Sequence, residues 1–291
     1  MTSAAEGRFH MVDVFSLTSV HHRVPRRAML RTEDGVRIEA VYEPATAGVT
    51  DTGVTGTAVR DPAVTDTAVV LAHGFTGSAD RPSVRRAARV LAGHGAAAVV
   101  TFSFRGHGGS GGRSTVGDRE VLDLSAAVRW AREQGHARVA TVGFSMGGSV
   151  VLRQAALDRG TPGSPDAVAA VSAPARWFYR GTPAMRRVHW VITRPEGRLV
   201  GRLGLGTRID HRAWDPVPLP PVEAVPLIAP TPLLIVHGDR DPYFPLDHPR
   251  ALAEAAGKGA AELWLEPGMG HAENAAGPEL LARLGNWLTR R

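Results

Sequence analysis

The chain is 291 residues long, enough for one large α/β domain with an insertion or for two small domains. Its 43% hydrophobic and 21% charged residues are ordinary for a globular protein, and the absence of cysteine excludes disulfides, thiolate catalysis and cysteine-ligated zinc. The formal charge of +6 is carried by arginine, with Lys258 the only lysine, and no helix-turn-helix, RNP or zinc-finger pattern accompanies it. A solvated basic surface is therefore expected, without a nucleic-acid partner.

Met1 to Val24 mixes Glu6, Arg8, His10 and Asp13 with apolar residues and lacks the uninterrupted apolar core of a signal peptide. No run approaches the ~18–20 apolar residues of a membrane span. The expectation is a cytoplasmic protein with no transmembrane segment, in which 1–26 is an N-terminal extension. A start at Met11 would make the first ten residues a disordered tail.

Asp34-Gly35 between alternating apolar runs predicts a β-hairpin, with strands at Ala28 to Thr32 and Val36 to Tyr42. Pro44 to Thr67 repeats Val-Thr-Asp-Thr and reads as a low-complexity loop without an assigned role. Buried strands follow at Ala68 to Ala72, Ala96 to Phe102, Val139 to Val142, Ala167 to Ser172, Leu233 to Val236 and Ala261 to Leu265. Helices are predicted between them at Arg81 to Ala92, Asp118 to Gln134, Met146 onward, His248 to Ala256 and Pro278 to Arg290. On the long second helix Val121, Leu122, Ser125, Val128 and Ala131 mark one face. Nearly all-apolar strands alternating with helices imply a mostly parallel, doubly wound sheet covered on both faces.

The alternation breaks between Ala173 and Pro230, a stretch rich in Arg and Pro that carries Trp177, Phe178, Tyr179, Trp190 and Trp214. The expected division is a core in two parts, 27–172 and 231–291, with 173–230 inserted as a small Arg-rich cap at the edge where ligands of such sheets bind. Two readings of its arginines stand: a lid that attracts anionic groups, or a solvated basic surface over a small core.

Gly143-Phe-Ser145-Met-Gly147 lies on a strand-to-helix junction and matches G-x-S-x-G, the nucleophile elbow. A second match, Gly108-Gly-Ser110-Gly-Gly112, is followed by Gly, Arg, Ser and Thr instead of a helix, and so lacks the context that Ser145 has. A serine hydroxyl is a poor nucleophile at neutral pH and needs a base and a group to orient that base. In chain order the candidates are Ser145, an Asp after the Leu233–Val236 strand, and His271 in the loop Gly268-Met-Gly-His271.

This order resembles the α/β-hydrolase family. The resemblance extends over His73-Gly-Phe75 at a strand end, Arg105-Gly-His-Gly-Gly-Ser110, the elbow, His237-Gly-Asp-Arg-Asp241 and Gly268 to His271. It implies Ser145, His271 and Asp241 as the catalytic residues, Asp241 taking the fifth position of H-G-x-x-D and Asp239 being a turn or surface carboxylate. It also implies an oxyanion hole from the N–H groups of Met146 and Phe75. His73, His237 and His107 are expected to fix loops. One departure is Ser103, where many relatives carry an Asp that supports the loop, so little consequence is expected. The implied function is hydrolysis of a small carboxylic ester through an acyl-enzyme, with no cofactor and no metal. Thioester hydrolysis and acyl transfer use the same groups. An epoxide hydrolase is disfavoured because the elbow holds Ser and not Asp, and a non-catalytic binding protein gives no reason to keep all three partners.

Overall fold

The Asp34-Gly35 reversal forms where the alternation requires it. Strand β1 (Arg26–Arg31) pairs antiparallel with β2 (Arg37–Pro44), Leu30 standing opposite Ile38. The turn closes through the Thr32 N–H, 2.9 Å from the Val36 carbonyl oxygen. The computed structural model describes residues 25–45 and 66–290. The predicted extension up to residue 24 and the low-complexity stretch at 46–65 lie outside the described residues.

Six further strands complete one sheet: β3 (Thr67–Ala72), β4 (Ala98–Phe102), β5 (Arg138–Phe144), β6 (Ala167–Val171), β7 (Leu233–Gly238) and β8 (Ala261–Glu266). Their order is β1-β2-β4-β3-β5-β6-β7-β8. β2 joins β4 antiparallel, and every pair from β4 to β8 is parallel, as the apolar strands predicted. From β3 the chain moves outward to β4 and then returns to lay β5 on the other side. The order therefore reverses between β3 and β5, which opens a crevice at their C-terminal ends. His73-Gly74-Phe75 leaves one of those ends and Ser145 the other.

Both faces of the sheet are covered. Helices α1 (Pro82–Ala92), α2 (Glu120–Glu133) and α3 (Met146–Leu157) follow β3, β4 and β5 in turn. α4 (Pro183–Thr193), α5 (Pro195–Gly204) and α6 (Pro221–Ala224) follow β6. α7 (Asp247–Ala256), α8 (Ala272–Ala275) and α9 (Pro278–Arg290) complete the chain. Along β3, Ala68, Val70 and Ala72 enter the core shared with α2, α3 and α7, while Val69 and Leu71 enter that of α1 and α9. Strict alternation with both sets buried explains the unbroken apolar run. Each fully buried Val or Leu contributes about 1.5–3 kcal/mol. On α2, Val121, Ser125, Val128 and Ala131 are buried as predicted, joined by Leu124 and Ala127, whereas Leu122 is only partly buried. The stripe is broader and rotated because α2 packs on α3 as well as on the sheet.

The inserted stretch is partly helical. No side chain of α4 is buried, so this helix stands off the body of the protein. Residues Thr207 to Asp210 run back along the Arg105 loop, with Arg208 N–H 2.8 Å from the Gly106 carbonyl and Ser114 N–H 2.7 Å from that of Arg208. At the end of the insertion Ala224, Val225 and Ile228 rejoin the core of the sheet.

Candidate active site

The chain reverses so sharply between β5 and α3 that Ser145 is held at φ +53°, ψ −114°. For a residue with a side chain this is a strained backbone, and such strain must be stabilised by its surroundings. The flanking glycines permit it: a Cβ on Gly143 would stand 2.1 Å from the Gly147 carbonyl oxygen, and one on Gly147 would stand 2.3 Å from that of Ala72. Those obstacles are backbone and cannot move aside. Ser145 N–H then donates to the Val171 carbonyl at 2.8 Å, tying the turn to β6. The result is a half-buried serine facing the crevice, with the first turn of α3 behind it.

His271 comes from the loop after β8. Its Nε2 lies 2.8 Å from Ser145 Oγ and its Nδ1 2.7 Å from Asp241 Oδ2. A carboxylate only accepts, so the imidazole proton is on Nδ1 and Nε2 is free to accept from the serine hydroxyl. Asp241 is fully buried at its side chain, and His271 is 15% exposed. Burial alone would raise the Asp241 carboxyl. The His271 hydrogen bond and charge, with the N–H groups of Tyr243 (2.8 Å) and Phe244 (3.1 Å), hold it below the usual carboxylate range. The three residues predicted from sequence are thus brought into one hydrogen-bonded chain.

Asp239 is elsewhere. Its Oδ1 accepts the Gly268 N–H at 2.6 Å and closes the loop that delivers His271. His73 accepts the Phe104 N–H at Nε2 (3.0 Å) and donates from Nδ1 to the Gly74 carbonyl (2.7 Å). Burial, with His107 beside it, pushes its pKa down to about 3, so it stays neutral. His107 donates to the Arg105 carbonyl at 3.0 Å, and its burial likewise lowers its pKa. His237 donates to the Phe244 carbonyl at 2.9 Å and lies 3.6 Å from Asp241. All three brace loops around the crevice.

Phe75 and Met146 line the same cavity as Ser145. Met146 opens α3, where the first N–H groups of a helix have no intrahelical acceptor. The Phe75 turn passes close to the serine: a Cβ on Gly74 would lie 3.4 Å from Ser145 Cβ. Glu273, which the sequence reading missed, fixes that turn, its buried carboxylate accepting the Gly74 N–H at 3.1 Å. Its place two residues after His271 was the only local signal. Tyr243 was also missed; its ring stacks on His271 with centroids 4.3 Å apart. Ser172 Oγ accepts the Ala272 N–H at 3.1 Å and anchors the residue after His271.

Where the family pattern has an Asp, Ser103 is served by a carboxylate from another strand. Glu39 of β2 accepts from Ser103 Oγ at 2.6 Å and from the Gly109 N–H at 2.9 Å, while Ser103 Oγ accepts the Ala79 N–H at 2.9 Å. The loop keeps its support through a partner that lies 64 residues away in the chain.

Above Ser145 the cavity measures about 730 Å³, within the range of small-molecule sites. Its walls include Trp177, Met185, Val188, Ile192, Trp214 and Tyr243. The insertion is tethered over it: Thr182 Oγ1 accepts the Met185 N–H at the start of α4 and donates to the Tyr243 carbonyl at 3.0 Å. Trp214 Nε1 donates to the Thr115 carbonyl at 2.7 Å. Among the described residues no group of three or more His, Asp or Glu is arranged to hold a metal ion, and no helix is long and apolar enough to cross a membrane.

Solved structures similar to this chain share its fold. The esterase Pf2001 of Pyrococcus furiosus is 23% identical, with a TM-score of 0.68 over 92% of this chain and 91% of its own. The alpha/beta hydrolase GrgF of Penicillium sp. sh18 is 20% identical, with a TM-score of 0.66 over 92% and 98%. Est1E of Butyrivibrio proteoclasticus, solved with ferulic acid, is 21% identical, with a TM-score of 0.56 over 89% and 97%. No curated protein sequence matches significantly. The sequence profile of the alpha/beta hydrolase family matches residues 69–284, which includes every residue of the crevice named above except those of the β1–β2 hairpin. The chain belongs to the alpha/beta hydrolase family.

Proposed function

We propose that the protein hydrolyses a carboxylic ester of a small molecule through an acyl-enzyme on Ser145. The observation that carries this reading is the hydrogen-bonded chain from Ser145 Oγ through His271 to Asp241, at 2.8 and 2.7 Å. His271 Nε2 takes the serine proton as Oγ attacks the carbonyl carbon, and the imidazolium that forms is stabilised by the Asp241 carboxylate. The N–H groups of Met146 and Phe75 receive the oxyanion, an interaction for which one donor is worth about 2.7–4 kcal/mol. His271 then returns the proton to the leaving alcohol, and water, activated by the same imidazole, releases the acid. The strained backbone at Ser145 presents the hydroxyl above the sheet, where the apolar cavity accepts the acyl chain or the alcohol.

The similar esterase of Pyrococcus furiosus agrees with this reaction class. The test is a panel of p-nitrophenyl esters and acyl thioesters of increasing chain length, assayed with the wild type and with Ser145→Ala. Turnover of esters above thioesters that disappears in the variant supports the proposal. A preference for thioesters, or transfer to an added alcohol in place of water, would reassign the reaction at the same site. Full ester turnover by Ser145→Ala would reject it.

A further inference from the structure

The arginines of the insertion fall into two sets that the sequence alone did not separate. Arg186, Arg194, Arg202 and Arg208 do not line the cavity; the first three are exposed and fit a solvated basic surface, while Arg208 donates to the Ser110 and Gly112 carbonyls of the neighbouring loop. Arg176, Arg180, Arg187, Arg198 and Arg212 do line it, on a wall that is otherwise largely apolar.

Two of the lining set are already neutralised. Arg176 pairs with Asp247 at 2.5 Å, and Arg212 with Asp210 at 2.8 Å. The other three meet no carboxylate among the described residues. Arg198 donates to the carbonyls of Ile192 (3.3 Å) and Thr193 (2.9 Å), which leaves its charge uncompensated. Arg180 donates from Nε to His189 Nδ1 at 3.3 Å. Burial and the nearby Arg180 lower the His189 pKa, so that imidazole accepts while neutral. Among the described residues, the only carboxylates in the lining are Asp210 and Glu273, the first held by Arg212 and the second by the Gly74 N–H. An apolar cavity with excess positive charge on its cap wall suits a ligand with an apolar body and an anionic end.

We propose that the ester turned over at Ser145 carries an anionic end group, a carboxylate or a phosphate, and that Arg180, Arg187 and Arg198 receive it. This rests on the reading of Ser145 as the nucleophile. Guanidinium groups bind both anions through paired N–H donors, and their charge-assisted hydrogen bonds outweigh those of neutral donors.

The test compares three p-nitrophenyl esters of matched chain length: neutral, carboxylate-terminated and phosphate-terminated. Each is assayed with the wild type, with Arg187→Gln/Arg198→Gln and with Arg202→Gln, which removes an equal charge from outside the cavity. The expected result is a wild-type kcat/KM that is higher for an anionic ester than for the neutral one and falls with added salt. That preference drops about tenfold in the double variant, mainly through KM, and stays in place in Arg202→Gln. The anion whose advantage falls further is the end group the site selects. An anionic preference that is absent in the wild type, unmoved in the double variant, or moved equally by Arg202→Gln overturns this inference while the Ser145-dependent turnover of the neutral ester stands. Turnover that survives in Ser145→Ala overturns the functional reading and this inference with it.

Discussion

Ser110 and Ser145 each sit at the centre of a G-x-S-x-G, and the hydrogen bonds of the two hydroxyls differ in kind. Ser110 is 1% exposed; its Oγ donates to the Ser103 carbonyl at 2.6 Å and accepts the Glu39 N–H at 3.0 Å. Both capacities go to backbone, and the hydroxyl holds a loop against β2. Ser145 faces a cavity, its backbone is strained, and its hydroxyl partner is an imidazole whose far side is held by a buried carboxylate. The same five-residue pattern thus yields a structural bond in one place and a candidate nucleophile in the other. What separates them is the next element: a helix follows Ser145 directly and makes the sharp turn, whereas a loop of bends and turns follows Ser110.

The contrast is sharpest under alanine substitution. Ser145→Ala is expected to lower kcat by about 10⁴-fold or more with the melting temperature kept. Ser110→Ala is expected to keep kcat within a few-fold and to cost about 1–3 kcal/mol of stability, since it orphans two buried backbone groups. Ester kinetics and thermal melts on both variants decide it, and reversal of the two phenotypes would break the comparison.

The two candidate carboxylates after β7 form the next test. Asp241→Asn should lower kcat about 10³–10⁴-fold, because an amide in that place favours the wrong imidazole tautomer. Asp239→Asn, which only weakens a loop hydrogen bond, should cost about 0.5–1.5 kcal/mol and little activity. Similar losses of kcat in both variants would mean that the loop, and not the Asp241 carboxylate, is what matters.

Gly147→Ala is the third. Its Cβ would meet the carbonyls of Ala72 and His73 at 2.3 and 2.6 Å, so the elbow must open or β3 must shift. A loss of about 3 kcal/mol or more is expected in chemical denaturation. A variant as stable as the wild type would show that the close approach at Ser145 is not required.

On the Ser110 side, Ser103→Asp restores the family's carboxylate but places it against Glu39. Alone it should destabilise by about 1–3 kcal/mol, and Glu39→Gln in the same chain should recover part of that loss. Strict additivity in the double-mutant cycle would show that the two positions do not share the role of supporting the loop.

The smallest expected effect is on acid stability. Burial pushes the Asp34 carboxyl up, but the Arg105 guanidinium, the Thr32 hydroxyl and Arg119 hold it down at about 2, against 3.8 for the free group. A carboxyl with a depressed folded-state pKa stabilises the fold above about pH 4 and ceases to do so as the pH falls through about 2. Asp34→Asn should therefore lower Tm most at pH 7 and progressively less toward pH 2, as followed by circular dichroism. A penalty that does not shrink on acidification would show that the ion pair with Arg105 is not its source.

The parallel strands, the elbow at Ser145, an Asp after β7 and His271 in its glycine-flanked loop were legible because each rests on a local pattern, whereas the choice of Asp241 over Asp239 came from the family resemblance. A buried strand is an apolar run, an elbow is two glycines around a serine, and a C-terminal strand edge ends in a turn. What stayed hidden depends on side chains that meet across the fold. Glu39 replaces the expected carboxylate at Ser103 from a different strand, and Glu273 props the Gly74 turn from a distance of 199 residues, contacts that no local period encodes. The helices of the insertion were hidden for another reason. α4 buries no residue, and its apolar Met185, Val188 and Ile192, which recur at helical spacing, line the cavity instead of joining the core of the sheet, in a stretch whose Arg and Pro content reads as a break in the alternation. The division of its arginines into lining and outward sets appears only once the cavity beneath it is seen.

The central claim, that Ser145 and not Ser110 carries the reactive hydroxyl, is met most directly by covalent labelling. The wild type, Ser110→Ala and Ser145→Ala are treated with a fluorophosphonate, and the modified peptide is mapped by mass spectrometry. A single adduct on Ser145 in the wild type and in Ser110→Ala, absent from Ser145→Ala, is the predicted result. An adduct on Ser110, or no adduct on any serine of the folded wild type, would contradict it.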